Sequence, residues 1–321
     1  MPKYEKAWLS AKSKEYGVVR DTFEKVCRLR DVLKFFDESS LLRDNLALKG
    51  GTAINLLFFN LPRLSVDIDL DFCQNLSREE MLNTRQRITE LLKKFMAAEG
   101  YTLSPKSKSP HSLDSFVYDY FNSAGVKDNL KIEINYSLRS HVLPTKRIKM
   151  QSDILEGTFE VNTISPAEIY ASKTVALLTR AAARDLYDMN YMIRYGLFDE
   201  KELEQYRKCV VFYLAIATET PPLKLDYSAI DTITPHKITT DLKPVIRDRD
   251  VFTLDSAKET VQRFLQDNLF ITEKEAEFLK KFKSGHYRPE ILFDDEEIIN
   301  RVADHPMAKW KTDKNRNREA R

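Results

Sequence analysis

Three aspartates alternate with apolar residues in the segment SVDIDLDF, residues 65–72. Because the side chains of a β-strand alternate between its two faces, Asp67, Asp69 and Asp71 share one side, and the apolar residues take the other. Carboxylates stacked on one face repel each other unless water, a cation or a basic partner neutralises them. The segment therefore predicts a strand that binds Mg²⁺, and the alternative is a solvated acidic edge strand.

A glycine turn precedes this strand in the sequence. Gly50, Gly51 and Thr52 stand before an apolar run, residues 53–59, which predicts a short helix ending near Asn60. Glycines at the start of a helix let backbone N–H groups approach an anion closely, and the helix dipole favours the negative charge. The turn therefore predicts a phosphate site.

A further carboxylate stands on the polar face of a later predicted strand. In residues 130–136 the side chains of Lys131, Glu133 and Asn135 share one face, and apolar residues occupy the opposite face. Glu133 is then either part of a site on that face or a surface glutamate paired with a lysine.

The second group of candidate residues lies on a predicted helix that begins at Ser165-Pro166, a capping serine followed by proline at the first helical position. Lys173, Arg180 and Arg184 line one face of this helix. Lys173 has mostly apolar helical neighbours, so if that face is buried its ammonium needs a partner, either a nucleoside triphosphate or a carboxylate. The alternative to a functional site is a helix pair held by salt bridges.

The remaining sequence supplies elements that can position these residues. Ser77 and Glu80 form a capping box, which predicts a helix to about Ala98. Residues 139–149 are basic and broken by proline, which is typical of a solvated loop. Periodicity predicts helices over residues 8–38, 200–217, 256–269 and 272–283, and strands within 101–137 and 158–163.

Composition excludes several classes of protein. The chain has 321 residues, 31% charged and 42% hydrophobic, which is ordinary for a globular protein of about two domains. No apolar run approaches the roughly 20 residues that a membrane span needs, and the charged start predicts a cytoplasmic protein. The net charge of +2 means that any nucleic-acid binding must use local patches. Three widely spaced cysteines indicate neither a disulfide framework nor a zinc site.

Two segments carry a family resemblance. A glycine turn followed by D-x-D is the motif layout of the DNA polymerase β-like nucleotidyltransferases, although Lys49 replaces an apolar residue and the fifteen residues between Gly51 and Asp67 slightly exceed that pattern. More narrowly, KGGTAINLLFFNLPRLSVDIDLDF and SPAEIYASKTVALLTRAAARDLYDMNYM, residues 49–72 and 165–192, resemble the AbiEii/AbiGii-type toxins of type IV toxin–antitoxin systems. The resemblance extends from Leu41 to about Trp310.

The resemblance implies roles for individual residues. Asp67, Asp69 and Glu133 would hold magnesium and, with Lys173 and Asp188, would be catalytic; Asp185 competes with Asp188 for the last role. The nucleotide-binding residues that it implies are Gly50, Gly51, Thr52, Ser65, Lys173 and Arg180.

The resemblance also implies the fold and the function. We expect an α/β nucleotidyltransferase core with a mixed sheet in residues 1–163, a helical domain in 164–310 and a disordered basic tail in 311–321. The expected reaction transfers a nucleoside monophosphate from an NTP to an acceptor, with tRNA the leading candidate, and the expected partners include a cognate antitoxin and no membrane. Two alternatives stay open: nucleotidylation of a protein hydroxyl, and a non-catalytic binding module.

Overall fold

The computed structural model describes residues 3–150, 155, 158–219 and 221–319. The chain divides into two compact units. The first comprises Met1–Arg139, Thr145–Ile164 and Pro244–Asp250, and the second comprises Ser140–Pro144, Ser165–Lys243 and Val251–Arg321.

The first unit is built on a seven-stranded mixed sheet with the order β3-β4-β5-β2-β1-β7-β6. β2 pairs parallel with β5 and β1 pairs parallel with β7, whereas the other neighbours are antiparallel. The strands are β1 (Leu46–Lys49), β2 (Asp67–Phe72), β3 (Thr102–Leu103), β4 (Leu113–Phe121), β5 (Lys127–Asn135), β6 (Lys146–Lys149) and β7 (Glu160–Thr163).

The two faces of this sheet differ in chemistry. Ile68 and Leu70 lie opposite Ile132 and Ile134 in the β2–β5 pair, and all four are buried. Phe116, on the same face of β4, lies opposite Ile132. The alternating acidic residues of β2 consequently lie on the other face, as the sequence predicted.

Helices cover the apolar face. Arg28 of α2 lies 4.1 Å from the ring centre of Tyr120, and Arg85 of α5 forms an ion pair with buried Asp114 at 2.6 Å. Both partners stand on the apolar face of β4, so α2 and α5 pack there. The helices of this unit are α1 (Lys6–Tyr16), α2 (Arg20–Glu38), α3 (Ser40–Asn45), α4 (Gly50–Ala53), which continues as a π turn (Ile54–Phe58), and α5 (Arg78–Ala98).

The predicted capping box at the start of α5 is confirmed. The amide of Glu80 donates to the Ser77 hydroxyl at 3.3 Å, and the Glu80 carboxylate accepts from the Ser77 amide at 3.1 Å. Two of the N–H groups that the first turn leaves without helical partners are thereby satisfied.

The second unit is helical. Its α-helices are α6 (Pro166–Arg180), α7 (Ala183–Tyr195), α8 (Glu200–Ala217), α9 (Pro235–Lys237), α10 (Leu254–Asn268), α11 (Glu273–Lys283), α12 (Pro289–Leu292), α13 (Glu296–Val302) and α14 (Pro306–Glu319). Shorter turns span Ser228–Thr232 and Ile238–Leu242, and a further turn, Lys243–Val245, begins at the last residue of the segment Ser165–Lys243. Buried Glu168 of α6 accepts from the amides of Val142 and Leu143 at 2.8 and 3.0 Å, which fixes the segment 140–144 within this unit.

Two predictions from composition were wrong. Residues 139–149 are not one solvated loop, because His141, Val142 and Leu143 are buried and residues 146–149 form the edge strand β6. Edge strands often carry basic residues that discourage further pairing, so the pattern resembles a loop.

The predicted disordered tail is also corrected. Helix α14 continues to Glu319, with Thr312 and Asn315 buried, and the Asn315 amide donates to the Phe282 carbonyl at 3.2 Å. Polar side chains with backbone partners hold this helix in place, which composition cannot indicate; residues 320 and 321 lie outside the described residues. Within the described part of the chain, we find no helix with the length and apolarity needed to span a bilayer.

Candidate active site

Two carboxylates from neighbouring strands meet on the polar face of the sheet. Asp69 of β2 lies directly opposite Glu133 of β5, and Asp67 lies two residues earlier on the same face. Ser115 of β4 flanks Glu133 on its other side. All three acids are half-buried, so they can be reached from solvent while the strands fix their positions. The structure therefore places the three residues predicted to bind metal on one face of the sheet.

Lys131 neutralises part of this negative charge. Its Nζ lies 2.9 Å from Glu133 Oε2. Burial alone would lower the pKa of Lys131, but the hydrogen bond to Glu133 and the charges of Glu133, Asp67 and Asp69 outweigh it and raise the pKa. Lys131 is thus a cation beside the acids, and its ion pair with Glu133 is the alternative that the sequence left open, a glutamate paired with a lysine.

Asp71 has a different environment from the two preceding aspartates. It is 2% exposed and forms an ion pair with Lys49 of β1. Removing a carboxylate from water is costly unless a cation compensates it, so Lys49 serves as the counter-ion of Asp71. This pair explains why a lysine stands where the general nucleotidyltransferase pattern has an apolar residue.

The glycine turn lies against these acids. Gly50 has φ +69°, and a Cβ atom there would lie 2.7 Å from Asp69 Oδ2. A Cβ on Gly51 would lie 2.6 Å from Arg63 Nη2. A Cβ atom at either position would therefore push the end of a side chain aside, and the left-handed backbone of Gly50 is a second reason for glycine there.

Side chains of the segment 52–65 lock the turn to β2. Thr52 Oγ1 donates to the Asp67 carbonyl at 2.5 Å and lies 2.9 Å from the Ser65 hydroxyl. Asn55 donates to the Gly51 carbonyl at 2.6 Å and accepts from the Arg63 amide at 3.2 Å. The sequence prediction missed the structural roles of Asn55 and buried Arg63, although the spacing of four residues from Gly51 to Asn55 was a signal.

We predict that Gly50→Ala strongly reduces the nucleotidyl transfer that the sequence resemblance implies, because the methyl group forces Asp69 to move. Gly125→Ala is the matched control, since Gly125 has φ +75° and open space around its Cβ position. Each variant should lose about 1–2 kcal/mol of unfolding free energy from backbone strain, and Gly50→Ala should lose more. Urea unfolding and a transfer assay measure both effects. Full transfer by Gly50→Ala would show that the contact with Asp69 is unimportant.

The second predicted cluster forms between α6 and α7. The prediction that Arg184 shares a helix with Lys173 and Arg180 was wrong, because α6 ends at Arg180, where Ala181 is left-handed, and Arg184 lies on α7. Lys173 Nζ lies 2.8 Å from Asp185 Oδ1 and 2.8 Å from Asp188 Oδ2. Both aspartates are 1% exposed. Arg180, which is largely exposed, donates to the second oxygen of Asp185 from Nη2 at 2.8 Å and from Nε at 3.0 Å.

This arrangement bears on the choice between Asp185 and Asp188. Lys173 contacts both, so the two acids position its ammonium together. Two cations and two anions make the cluster formally neutral, and ion pairs between helices were the structural alternative to a functional site. The contacts are equally compatible with a helix clamp, that is, ion pairs that hold α6 against α7, and with a lysine held in a fixed position for a ligand.

The acids of β2 and β5 are the candidate ligands for a divalent ion. Carboxylate oxygens are the donors that Mg²⁺ takes, and Asp69 and Glu133 stand side by side. Among the described residues, no three Asp, Glu, His or Cys side chains are gathered closely enough to hold a metal ion. Glu133 instead forms an ion pair with Lys131. The donor set suits magnesium provided that Glu133 turns from Lys131 toward the aspartates.

Comparisons with known proteins identify the family and the fold separately. The model of the family described as nucleotidyl transferase AbiEii toxin, type IV toxin–antitoxin system, matches residues 35–286. Among solved structures the chain is similar to MenT4, a nucleotidyltransferase toxin from Mycobacterium tuberculosis H37Rv, with 16% sequence identity and a TM-score of 0.62. That similarity covers 94% of this chain and 99% of the other, and it confirms the predicted nucleotidyltransferase-like α/β fold. No curated protein matches the sequence.

Proposed function

The chain belongs to the AbiEii family of nucleotidyltransferase toxins of type IV toxin–antitoxin systems, and we propose that it transfers a nucleoside monophosphate from an NTP to tRNA. Membership of this family implies a nucleotide substrate and a cognate antitoxin. The proposal adds the acceptor, the divalent ion and the residues that perform the reaction. It also adds the location, the cytoplasm, which contains both NTPs and tRNA.

The observation that carries the proposal is the pairing of Asp69 with Glu133 beside the glycine turn. A strand register that aligns two acids, with Asp67 on the same face, gathers negative charge that costs stability. A group of this kind is useful where a metal ion and a phosphate are to be bound together, and the turn at Gly50 and Gly51 supplies backbone N–H groups for phosphate.

Asp67, Asp69 and Glu133 would hold magnesium in this proposal. The ion, when bound, would stabilise charge on the attacking and leaving oxygens of an in-line displacement. Gly50, Gly51 and Thr52 would orient the triphosphate, and the Ser65 hydroxyl would support Thr52. Glu133, once it leaves Lys131, would stand on the sheet face where it could also accept the proton of the acceptor hydroxyl.

The proposal for the second unit concerns Lys173, Arg180 and Asp188. Lys173 would donate to a phosphate oxygen, and Asp185 and Asp188 would hold its ammonium in one position. The side chain of Arg180 is 65% exposed and forms an ion pair with Asp185, so the exposed part of its guanidinium can bind an anionic ligand. Because the cluster is formally neutral, it would contribute through the placement of donors rather than through net charge.

The acceptor is tested by incubating the protein with each α-labelled NTP, magnesium and total RNA, and resolving the products on denaturing gels. We expect label in RNA of tRNA size from one preferred NTP. Label in protein would favour transfer to a protein hydroxyl instead. No label in either fraction with any NTP would contradict the proposal.

We predict that Glu133→Gln lowers transfer by roughly 10²–10⁴-fold while NTP binding changes little. The carboxamide keeps the size of the side chain and its fit in β5, but it can neither hold the ion with negative charge nor take up a proton. Single-turnover kinetics and NTP titration measure the two effects separately.

Lys131→Met is the matched control for Glu133→Gln. It breaks the same ion pair but leaves the carboxylate in place, so it should keep most of the transfer activity. Equal losses in binding and turnover by Glu133→Gln would make Glu133 a structural residue. Inactivity of both variants would indicate that the ion pair, rather than the carboxylate, is what the site needs.

A further inference from the structure

A row of stacked tyrosines runs along α7 away from the Lys173 cluster. Tyr187, Tyr191 and Tyr195 are spaced by four residues, which places them on one side of the helix. The ring centres of Tyr187 and Tyr191 are 6.1 Å apart at 24°, and those of Tyr191 and Tyr195 are 4.3 Å apart at 27°. We refer to these three residues as the tyrosine ladder.

The ladder is anchored at one end and exposed at the other. Tyr187 is 5% exposed and packs against Phe252, with ring centres 5.6 Å apart. Tyr195 is 65% exposed in the last turn of the helix, where Gly196 ends it in the left-handed conformation. Stacking on Tyr191 holds the Tyr195 ring in one orientation, so its exposed surface is a flat platform rather than a freely rotating side chain.

Two arginines accompany the ladder. At about 100° per residue, Arg184 and Arg194 fall with the three tyrosines within an arc of about 100° around the helix axis. Arg194 is exposed, and Arg184 is half-buried with its Nε donating to the Asp241 carbonyl at 2.8 Å. A single exposed tyrosine is ordinary on a protein surface. A stack of rings with cations on the same side has the two components that bind single-stranded nucleic acid, a surface for bases and charges for phosphates.

We propose that the tyrosine ladder binds unpaired RNA bases by stacking, with Tyr195 as the platform and Arg194 contacting the phosphate backbone. This inference rests on the proposed function for its choice of RNA. Every base has a π face, so the ladder would select unpaired strands rather than a sequence. Tyr187 is the neighbour of Asp188, and Tyr195 lies seven residues beyond Asp188, about 10 Å along the axis. RNA held at Tyr195 would therefore pass close to the Lys173 cluster.

The test measures binding of a fluorescein-labelled single-stranded RNA oligonucleotide by anisotropy, with no NTP present. Tyr195→Ala should weaken binding by about 5- to 150-fold, the range for loss of one base–aromatic stack. Tyr195→Trp should retain the affinity, and Tyr195→Leu, which keeps apolar area without a flat ring, should not. Arg194→Gln should reduce the slope of log affinity against log salt by about one.

A fully paired RNA duplex of the same length is the control ligand, and its affinity should be nearly the same for wild type and Tyr195→Ala. Equal weakening for both ligands would overturn the stacking role, as would unchanged single-strand affinity. If Tyr195→Ala instead loses antitoxin binding alone, the ladder is a protein interface and the proposal fails.

The outcomes separate this inference from the proposed function. If wild type transfers label to RNA but Tyr195→Ala binds single-stranded RNA as tightly as wild type, the tyrosine ladder proposal fails and the proposed function stands. If wild type transfers no label but Tyr195→Ala shows the expected loss of single-stranded RNA binding, the tyrosine ladder proposal stands and the proposed function fails. Because Tyr195 is largely exposed, its variants should unfold at the wild-type urea midpoint, and that measurement excludes misfolding as the cause.

Discussion

Asp69→Asn is expected to lower nucleotidyl transfer by about 10³-fold or more and to relieve growth inhibition, while the fold stays intact. The amide keeps the shape of the side chain but removes one of two charges that the β2–β5 register sets side by side. Loss of that charge reduces repulsion with Asp67 and Glu133, so the variant should still fold. Transfer kinetics and urea unfolding measure the two effects.

Asp71→Asn is the control on the same strand face. Asp71 is buried and paired with Lys49, so its variant should lose about 2–3 kcal/mol of stability, less than the 3–5 kcal/mol of a fully buried pair because Lys49 is partly exposed. It should nevertheless retain transfer. An active Asp69→Asn protein, or one that unfolds easily, would contradict the separation between functional and structural acids.

Lys173→Met is expected to destabilise the second unit by about 3–5 kcal/mol and to weaken NTP binding by roughly 10- to 150-fold. The substitution leaves Asp185 and Asp188, each 1% exposed, without the ammonium that lies 2.8 Å from both. It also removes a charge-assisted contact to phosphate, worth roughly 1.5–3 kcal/mol. Urea unfolding and NTP titration under conditions that keep the variant folded separate the two losses.

The double variant Lys173→Met/Asp188→Asn distinguishes a helix clamp from a ligand site. Neutralising Asp188 removes one of the two carboxylate charges that faced the Lys173 ammonium, so part of the lost stability should return. If Lys173 binds phosphate, NTP affinity stays weak in the double variant. Recovery of stability and NTP affinity together would show that Lys173 acts only as a clamp between α6 and α7.

The local pattern of the sequence was sufficient to predict which residues share a face. Alternation in residues 65–72 and 130–136 placed Asp67, Asp69 and Glu133 on polar strand faces, because the side-chain period of a strand is two. Their alignment could not be predicted from that period, since β2 and β5 are parallel strands more than fifty residues apart in the chain. Only the fold decides that Asp69, rather than Asp67, lies opposite Glu133.

Counter-ions were the hardest feature to predict. Lys49 and Lys131 lie close to acids in space, but a lysine in a sequence has no signal that names its partner. Lys173 was recognised as needing a partner because its helical neighbours are apolar, yet the sequence could not show that two buried aspartates provide it. For the same reason the sequence did not predict α14, because its buried residue Asn315 donates to the carbonyl of Phe282, a distant residue in the chain.

The most direct test of the central claim compares α-labelled with γ-labelled NTP in the presence of magnesium and tRNA, using wild type and Asp69→Asn. We predict that the α label enters RNA and the γ label leaves as pyrophosphate with wild type, and that Asp69→Asn transfers no α label. Retention of the γ label in RNA or protein, or equal α labelling by Asp69→Asn, would contradict nucleotidyl transfer at the acids of β2 and β5.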